Sequence, residues 1–182
     1  TVSAGLFDAL VPLNDVTGLM AIAAGLAHLI RLSRWRGLAT RREPLLFVLH
    51  AGYFWLPAGY LLLGLSIFGQ LIPSAVALHA LTMGGIAFMV LAVSTRVALA
   101  HTGRKLHAAR LTVLAYWMLL LAVFLRLLSP YFPNYFLALD AAAVAWILAF
   151  GFFAFMTNLI GEIIKDAEDY AGDKESCSRT GP

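Results

Sequence analysis

Twelve of the thirteen Lys and Arg residues in this chain lie in alternate gaps between five long apolar runs. A transmembrane helix needs about 20 consecutive apolar residues, and backbone groups in lipid must be hydrogen-bonded within their own element. The pattern therefore predicts an all-α fold, a polytopic transmembrane helix bundle with five spans. The predicted spans, which together form one bundle over residues 1–164, are 10–30, 45–69, 73–100, 111–128 and 136–164.

The placement of the basic residues also predicts the orientation of the bundle, because Lys and Arg in short loops stay in the cytoplasm. Only Arg126 lies on the opposite side from the other basic residues. We expect the N-terminus outside and the C-terminus in the cytoplasm, with the polar residues 165–182 forming a disordered cytoplasmic tail. The predicted cytoplasmic basic residues are Arg31, Arg34, Arg36, Arg41, Arg42, Arg96, Arg104, Lys105, Arg110, Lys165, Lys174 and Arg179.

The composition excludes a water-soluble fold. The 182 residues are 61% hydrophobic and only 13% charged, whereas soluble domains have roughly a quarter charged residues. The net charge of +3 is explained by topology, so we assign no nucleic-acid role, and the expected partner is the lipid bilayer. Cys177 is the only cysteine, which excludes a disulfide or a thiolate cluster within the chain.

Glycines within the runs indicate how the helices pack. Gly18, Gly25, Gly84 and Gly85 are typical of close helix packing, because small residues let two backbones approach.

Ionisable side chains at membrane depth are costly, so each of them is a candidate functional residue. At about 1.5 Å per helical residue, His28, His50 and His101 fall at one depth near the cytoplasmic ends of three spans. A second layer, near the outer ends of the spans, contains Asp15, His79, Arg126 and Asp140. For this outer layer a buried salt-bridge network is the simplest interpretation, with Asp15 and Arg126 as partners.

The spacing of the histidines limits any metal site. His79 and His101 are 22 residues apart, about 33 Å along one helix, so they cannot share a site. His28 with His50, or either with His101, can ligate a b-type haem from two facing helices, and imidazoles also suit copper. Two alternatives stay open: a single histidine near a helix end is often an interfacial hydrogen-bonding residue, and Arg96 can either reach the headgroups or pair with a haem propionate.

Two sets of motifs carry a resemblance to a known family. The first is the run Leu78-His79-Ala80-Leu81-Thr82-Met83-Gly84-Gly85, followed by Ala92-Val93-Ser94-Thr95-Arg96 and His101-Thr102-Gly103-Arg104. The second comprises Trp35-Arg36-Gly37, Arg42-Glu43-Pro44-Leu45, Leu49-His50-Ala51-Gly52-Tyr53, Trp55-Leu56-Pro57 and Trp146-Ile147-Leu148-Ala149-Phe150. In this order and spacing, the motifs resemble the NnrS family of nitric-oxide-response membrane proteins over most of the chain from Leu26 to Phe150.

The resemblance implies a multi-pass protein of the bacterial inner membrane that carries haem and copper and helps cells withstand nitrosative stress. It implies metal-site roles for His50, His79 and His101 and cofactor contacts for Arg96 and Arg104, while His28 is added because of its depth. Nitric oxide or a nitrosyl-iron species is the implied ligand. Members of the family are considerably longer, so we expect this chain to be the C-terminal part, with an N-terminal transmembrane half as its partner.

Three functions are compatible with these features. The first is a haem-binding protein that senses, binds or detoxifies nitric oxide through His50 with His28 or His101. The second is a b-type cytochrome-like redox subunit, which needs paired histidines at two depths, whereas the outer layer offers only His79. The third is a cofactor-free transporter or structural bundle in which the histidines and charges satisfy one another.

Overall fold

The computed structural model describes residues 15–69, 72–101 and 107–155, and all regular structure within these ranges is helical. Helix α1 spans Asp15–Arg34 and α2 spans Pro44–Phe68. Helix α3 spans Ser74–Ala100, α4 spans Arg110–Leu128, and α5 is described over Tyr135–Phe155. Short 3₁₀ segments follow α1 at Gly37–Thr40 and α4 at Ser129–Tyr131.

All five helices are long and apolar enough to cross a membrane, which confirms the predicted number of spans within the described part of the chain. The predicted boundaries at residues 10 and 164, and the predicted tail 165–182, lie outside the described residues. The orientation of the termini stays a prediction. The helix that carries the first predicted span, which was placed roughly at residues 10–30, continues to Arg34. Basic residues favour a helix C-terminus, and Arg31 packs its guanidinium over the ring of Trp35, 5.3 Å from its centroid.

Helix α3 is not a uniform α-helix. Its first part, Ser74–His79, leads into a π-helical segment, Ala80–Ala87, before the α-helix resumes at Phe88. The apolar run gives no sign of this segment, since its hydropathy is the same in either kind of helix. Where α2 packs against it, a Cβ on Gly84 would lie 2.5 Å from the Trp55 ring, and one on Gly59 would lie 2.6 Å from Leu81.

Close packing at most of the predicted glycines is confirmed. A Cβ on Gly18 would meet the Phe68 ring at 2.8 Å, and one on Gly25 would meet Leu61 at the same distance. Gly84 lies against Trp55. For Gly85 the predicted close packing was wrong: the residue is buried, but a Cβ there would meet nothing closer than the Ala80 carbonyl at 4.0 Å.

Helix α3 is the most buried helix, since half of its most apolar stretch is covered by other helices. Helix α1 packs mainly on α2 and lies at the periphery. Leu91 of α3 and Leu119 and Val123 of α4 are fully buried, as is Pro57 within α2. Helix α5 contributes a stripe of buried alanines at helical spacing: Ala138, Ala142, Ala145 and Ala149. This arrangement leaves the 3₁₀ segment Gly37–Thr40 beside the first turns of α2, where the candidate site lies.

Candidate functional site

A cavity of about 550 Å³ lies at the end of the bundle where α1 leads into α2, a size typical of small-molecule sites. Its walls come from the end of α1, the 3₁₀ segment, the first half of α2 and the middle of α4. Most of the lining is apolar, and the polar side chains are Ser33, Arg36 and His50. The remaining lining residues are Leu32, Gly37, Leu38, Ala39, Phe47, Ala51, Phe54, Trp55, Leu120 and Phe124.

The imidazole of His50 is held in one orientation. Its Nδ1 lies 2.9 Å from the carbonyl oxygen of Leu46, one turn earlier in α2. Because a carbonyl can only accept, Nδ1 donates this hydrogen bond, which leaves Nε2 as the ring nitrogen available to a ligand. Such a bond from the second ring nitrogen is the usual way in which a metal-ligating histidine is oriented. His50 therefore offers the cavity a ring nitrogen in a fixed position.

The loop above His50 approaches the ring closely. A Cβ on Gly37 would lie 2.8 Å from Cδ2 of His50, 3.0 Å from its Cγ and 3.1 Å from its Cβ, so only glycine fits without displacement. The preceding Arg36 has φ 50° and ψ 40°, the left-handed conformation, which costs a residue with a side chain about 1–2 kcal/mol. It is the only non-glycine residue with positive φ in the described part. The surrounding packing thus holds a strained guanidinium-bearing residue at the rim of the cavity.

A second, smaller cavity of about 210 Å³ adjoins the first. The two share Phe47, Ala51 and Leu120 as lining residues. Arg41 and Tyr116 supply its polar groups, and the Tyr116 hydroxyl lies 2.5 Å from Oγ1 of the buried Thr95. Together the cavities form an apolar region with Arg36 and Arg41 on its boundary.

His28 lies near this region but not in it. Its Nδ1 is 2.7 Å from the hydroxyl of Tyr53, and its ring stacks on Tyr60 with 5.9 Å between centroids. Among the described ring contacts, His28 and His50 are connected only through Tyr53 and Trp35. The equal depth of the two histidines is compatible with the lengths of α1 and α2, but their shared haem stays a prediction.

Of the other predicted site residues, His79 and Arg96 have described side chains, and neither lines the two cavities. His79 is half-buried before the π-helical segment, and its Nδ1 bonds to the Ala75 carbonyl at 2.5 Å, so it is oriented as His50 is. Arg96 is half-buried on α3 and lines neither cavity. The side chain of His101 and the whole of Arg104 lie outside the described residues. Within the described ranges, no three His, Cys, Asp or Glu side chains cluster as a metal site.

The charged residues of the outer layer do not form the buried cluster that their positions in the sequence suggested. Asp15 and Asp140 are exposed, whereas Arg126, like His79, is half-buried. A salt bridge between Asp15 and Arg126 stays a prediction.

Two residues of the site were not predicted as such. Arg36 and Arg41 were predicted as cytoplasmic basic residues, and Arg36 also as part of a family-like motif, but neither was predicted to contact a cofactor. The signal that could have marked Arg36 is the following glycine, since an Arg-Gly pair between two helices indicates a tight loop.

The chemistry of this donor set fits a b-type haem. A porphyrin needs apolar walls, an axial nitrogen for the iron and cations for its propionates, and the larger cavity has aromatic walls, the His50 imidazole and Arg36. A second axial nitrogen is not among the residues that line the cavity. If haem were bound there, His50 would be its ligand among the lining residues and Arg36 the cation for a propionate.

Comparison with known proteins gives one match. The profile of the family described as "NnrS protein" matches residues 1–160 of the 182. No curated protein matches this chain, and no solved structure does either.

Proposed function

Because the chain belongs to the NnrS family, we propose that it binds haem b in the membrane and acts in the response to nitric oxide and in protection against nitrosative stress. The match covers most of the chain, and the five apolar helices agree with a multi-pass membrane protein. We place it in a bacterial inner membrane, with the end of the bundle that carries Arg36 and Arg41 on the cytoplasmic side, where basic residues belong.

The observation that carries the proposal is His50 in the larger cavity. The imidazole has its Nδ1 fixed by Leu46, so Nε2 can serve as an axial ligand to iron. Arg36 at the rim, with Arg41 beside the adjoining cavity, would hold the propionates. When bound there, ferrous haem supplies an iron that captures nitric oxide.

The protein's own residues account for the remaining requirements of such a site. Phe54, Trp55 and Phe124 give the cavity an apolar wall. Gly37 lets the loop close to within contact of the His50 ring, and the Trp35 ring packs edge-on against that ring at 6.1 Å. These contacts restrict the rotation of the imidazole, which a ligand nitrogen requires.

We further propose copper as a second cofactor, with His79 as its candidate ligand in this chain. The support is the Nδ1 bond to Ala75, which leaves Nε2 of a half-buried imidazole as the ligand atom. His28, His101, Arg96 and Arg104 remain candidates for further cofactor contacts, as does the expected N-terminal transmembrane half. The experiment described next also tests the other two functions, a b-type redox subunit and a cofactor-free bundle.

The test compares two matched histidine variants of the full-length protein, purified in mild detergent or nanodiscs. His50→Ala and His79→Ala each remove an imidazole that is bonded to the carbonyl one turn earlier, so the local structural cost is similar. Haem content is read from visible spectra and metal content from elemental analysis. We expect loss of haem in His50→Ala and retention in His79→Ala.

Full haem in His50→Ala with loss in His79→Ala would contradict the assignment of His50. A wild-type protein without haem would support the cofactor-free bundle. Two spectrally distinct haems, lost separately in the two variants, would support the redox subunit.

A further inference from the structure

The end of α1 and the segment after it carry positive charge without an acid nearby in the sequence. Five arginines lie between residues 31 and 42, whereas there is no Asp or Glu between Asp15 and Glu43. Two of the arginines, Arg31 and Arg34, belong to the last turn of α1, and both are exposed. This end of the helix therefore presents uncompensated cations to its surroundings and attracts an anion.

The guanidinium of Arg31 is already oriented for binding. It lies over the Trp35 ring, 5.3 Å from the ring centroid. A guanidinium stacked on an aromatic ring keeps its N–H groups at the edge of its plane, where they can donate two parallel hydrogen bonds to a phosphate. Arg34 follows three residues later, and residues at this spacing are neighbours on one face of a helix. Two guanidiniums can therefore contact the same phosphate.

Apolar residues continue this face of α1 into the membrane. Ile30, four residues before Arg34, is 66% exposed, and Ala27, four residues before Arg31, is exposed as well. Trp35 itself is 43% exposed, and tryptophan is enriched at the depth of the lipid headgroups. Within about one turn the exposed face passes from apolar side chains to guanidiniums, as a phospholipid passes from its acyl chains to its phosphate.

We propose that Arg31, Arg34 and Trp35 form a site for the phosphate of an anionic phospholipid whose acyl chains lie along Ala27 and Ile30. The uncompensated charge favours a lipid with a net negative charge over a zwitterionic lipid, because a zwitterionic headgroup brings its own cation. An acidic soluble protein would match the guanidiniums but not the apolar residues one turn deeper. Free phosphate would also leave those residues unused.

The site adjoins the larger cavity without being part of it. Arg31, Arg34 and Trp35 are not among the lining residues of either cavity. The Trp35 ring, however, packs edge-on against the ring of His50, with 6.1 Å between centroids. A headgroup bound at Arg31 is thus separated from the imidazole by one ring. The lipid site does not require haem at His50, and it stands or fails separately from the proposed function.

Lipid binding to the purified full-length protein tests the site. The protein in mild detergent is titrated with phosphatidylglycerol and, separately, with phosphatidylcholine that has the same acyl chains, and native mass spectrometry gives the dissociation constant of the first bound lipid. We expect phosphatidylglycerol to bind about 30-fold more tightly, since each arginine near an anionic headgroup contributes roughly a factor of five. Equal binding of the two lipids, or displacement of phosphatidylglycerol by millimolar inorganic phosphate, would overturn the proposal.

Two double variants with the same change in net charge locate the site. Arg31→Gln combined with Arg34→Gln should weaken phosphatidylglycerol binding about 30-fold. Arg42→Gln combined with Arg110→Gln removes two other exposed arginines and should leave binding nearly unchanged. Arg31→Lys keeps the charge but loses the planar fork, so it should also weaken binding. Circular dichroism checks that each variant is folded. Equal weakening in the two double variants, or unchanged binding in Arg31→Lys, would show diffuse attraction instead of a site.

Discussion

Substitution of Gly37 by alanine tests whether the loop holds the His50 imidazole. The new methyl carbon would lie 2.8 Å, 3.0 Å and 3.1 Å from Cδ2, Cγ and Cβ of His50. Carbon atoms in contact prefer about 3.5–4.0 Å, so the closest pair falls short by about 0.7–1.2 Å. Because the crowded atoms include Cβ of His50, which rotation of the ring cannot move, the 3₁₀ segment or α2 must shift instead.

We expect the Gly37→Ala change to lower the free energy of unfolding by about 1–3 kcal/mol, the usual cost of an extra carbon in a packed site. The same shift should displace Nε2 and weaken the binding of haem. The measurements are an unfolding titration in mixed detergent, followed by circular dichroism, and haem retention after dilution.

Gly151→Ala is the matched control for Gly37→Ala. Gly151 lies on α5 with nothing within 4 Å of the position of a Cβ, so alanine should stabilise that helix by about 0.5–1 kcal/mol. Equal stability and haem retention in the Gly37→Ala variant and the wild-type protein would refute the close contact between the loop and His50.

Two further substitutions test the rim and the core. Arg36→Asn should leave the free energy of unfolding unchanged or raise it by up to about 1 kcal/mol, because Asn tolerates the left-handed conformation. Haem should dissociate faster from this variant, because the guanidinium is missing. Slower unfolding with an unchanged rate of haem release would show that Arg36 does not contact the haem. Thr95→Val should cost about 1–3 kcal/mol by leaving the buried Tyr116 hydroxyl without its partner, whereas Thr82→Val, at an exposed hydroxyl, should cost much less. Similar unfolding free energies for the two threonine variants would contradict the reasoning.

The spans could be predicted from sequence because length and hydropathy are properties of each segment alone. The same reasoning could not predict the π-helical segment Ala80–Ala87, which adjoins a contact between Gly84 and the Trp55 ring of another helix. An apolar count also stops at Arg31, whereas the helix continues to Arg34 and the Arg31 side chain packs on Trp35.

For the site, sequence reasoning predicted the depth of each histidine but not the direction in which it faces. His28 and His50 are equally placed along their helices, yet His50 lines the cavity and His28 bonds to Tyr53. Arg36 could not be selected among the basic residues, because its distinguishing feature is a backbone conformation that becomes visible only in three dimensions.

The most direct test of the central claim is chemical replacement of the His50 side chain. The full-length His50→Gly protein is purified without haem, mixed with haem in the presence or absence of free imidazole, and followed by visible spectroscopy. If Nε2 of His50 is the axial ligand, haem should bind with the wild-type spectrum only when imidazole is added to fill the space. Binding with the wild-type spectrum in the absence of imidazole, or no rescue in a variant that is shown to be folded, would contradict the account.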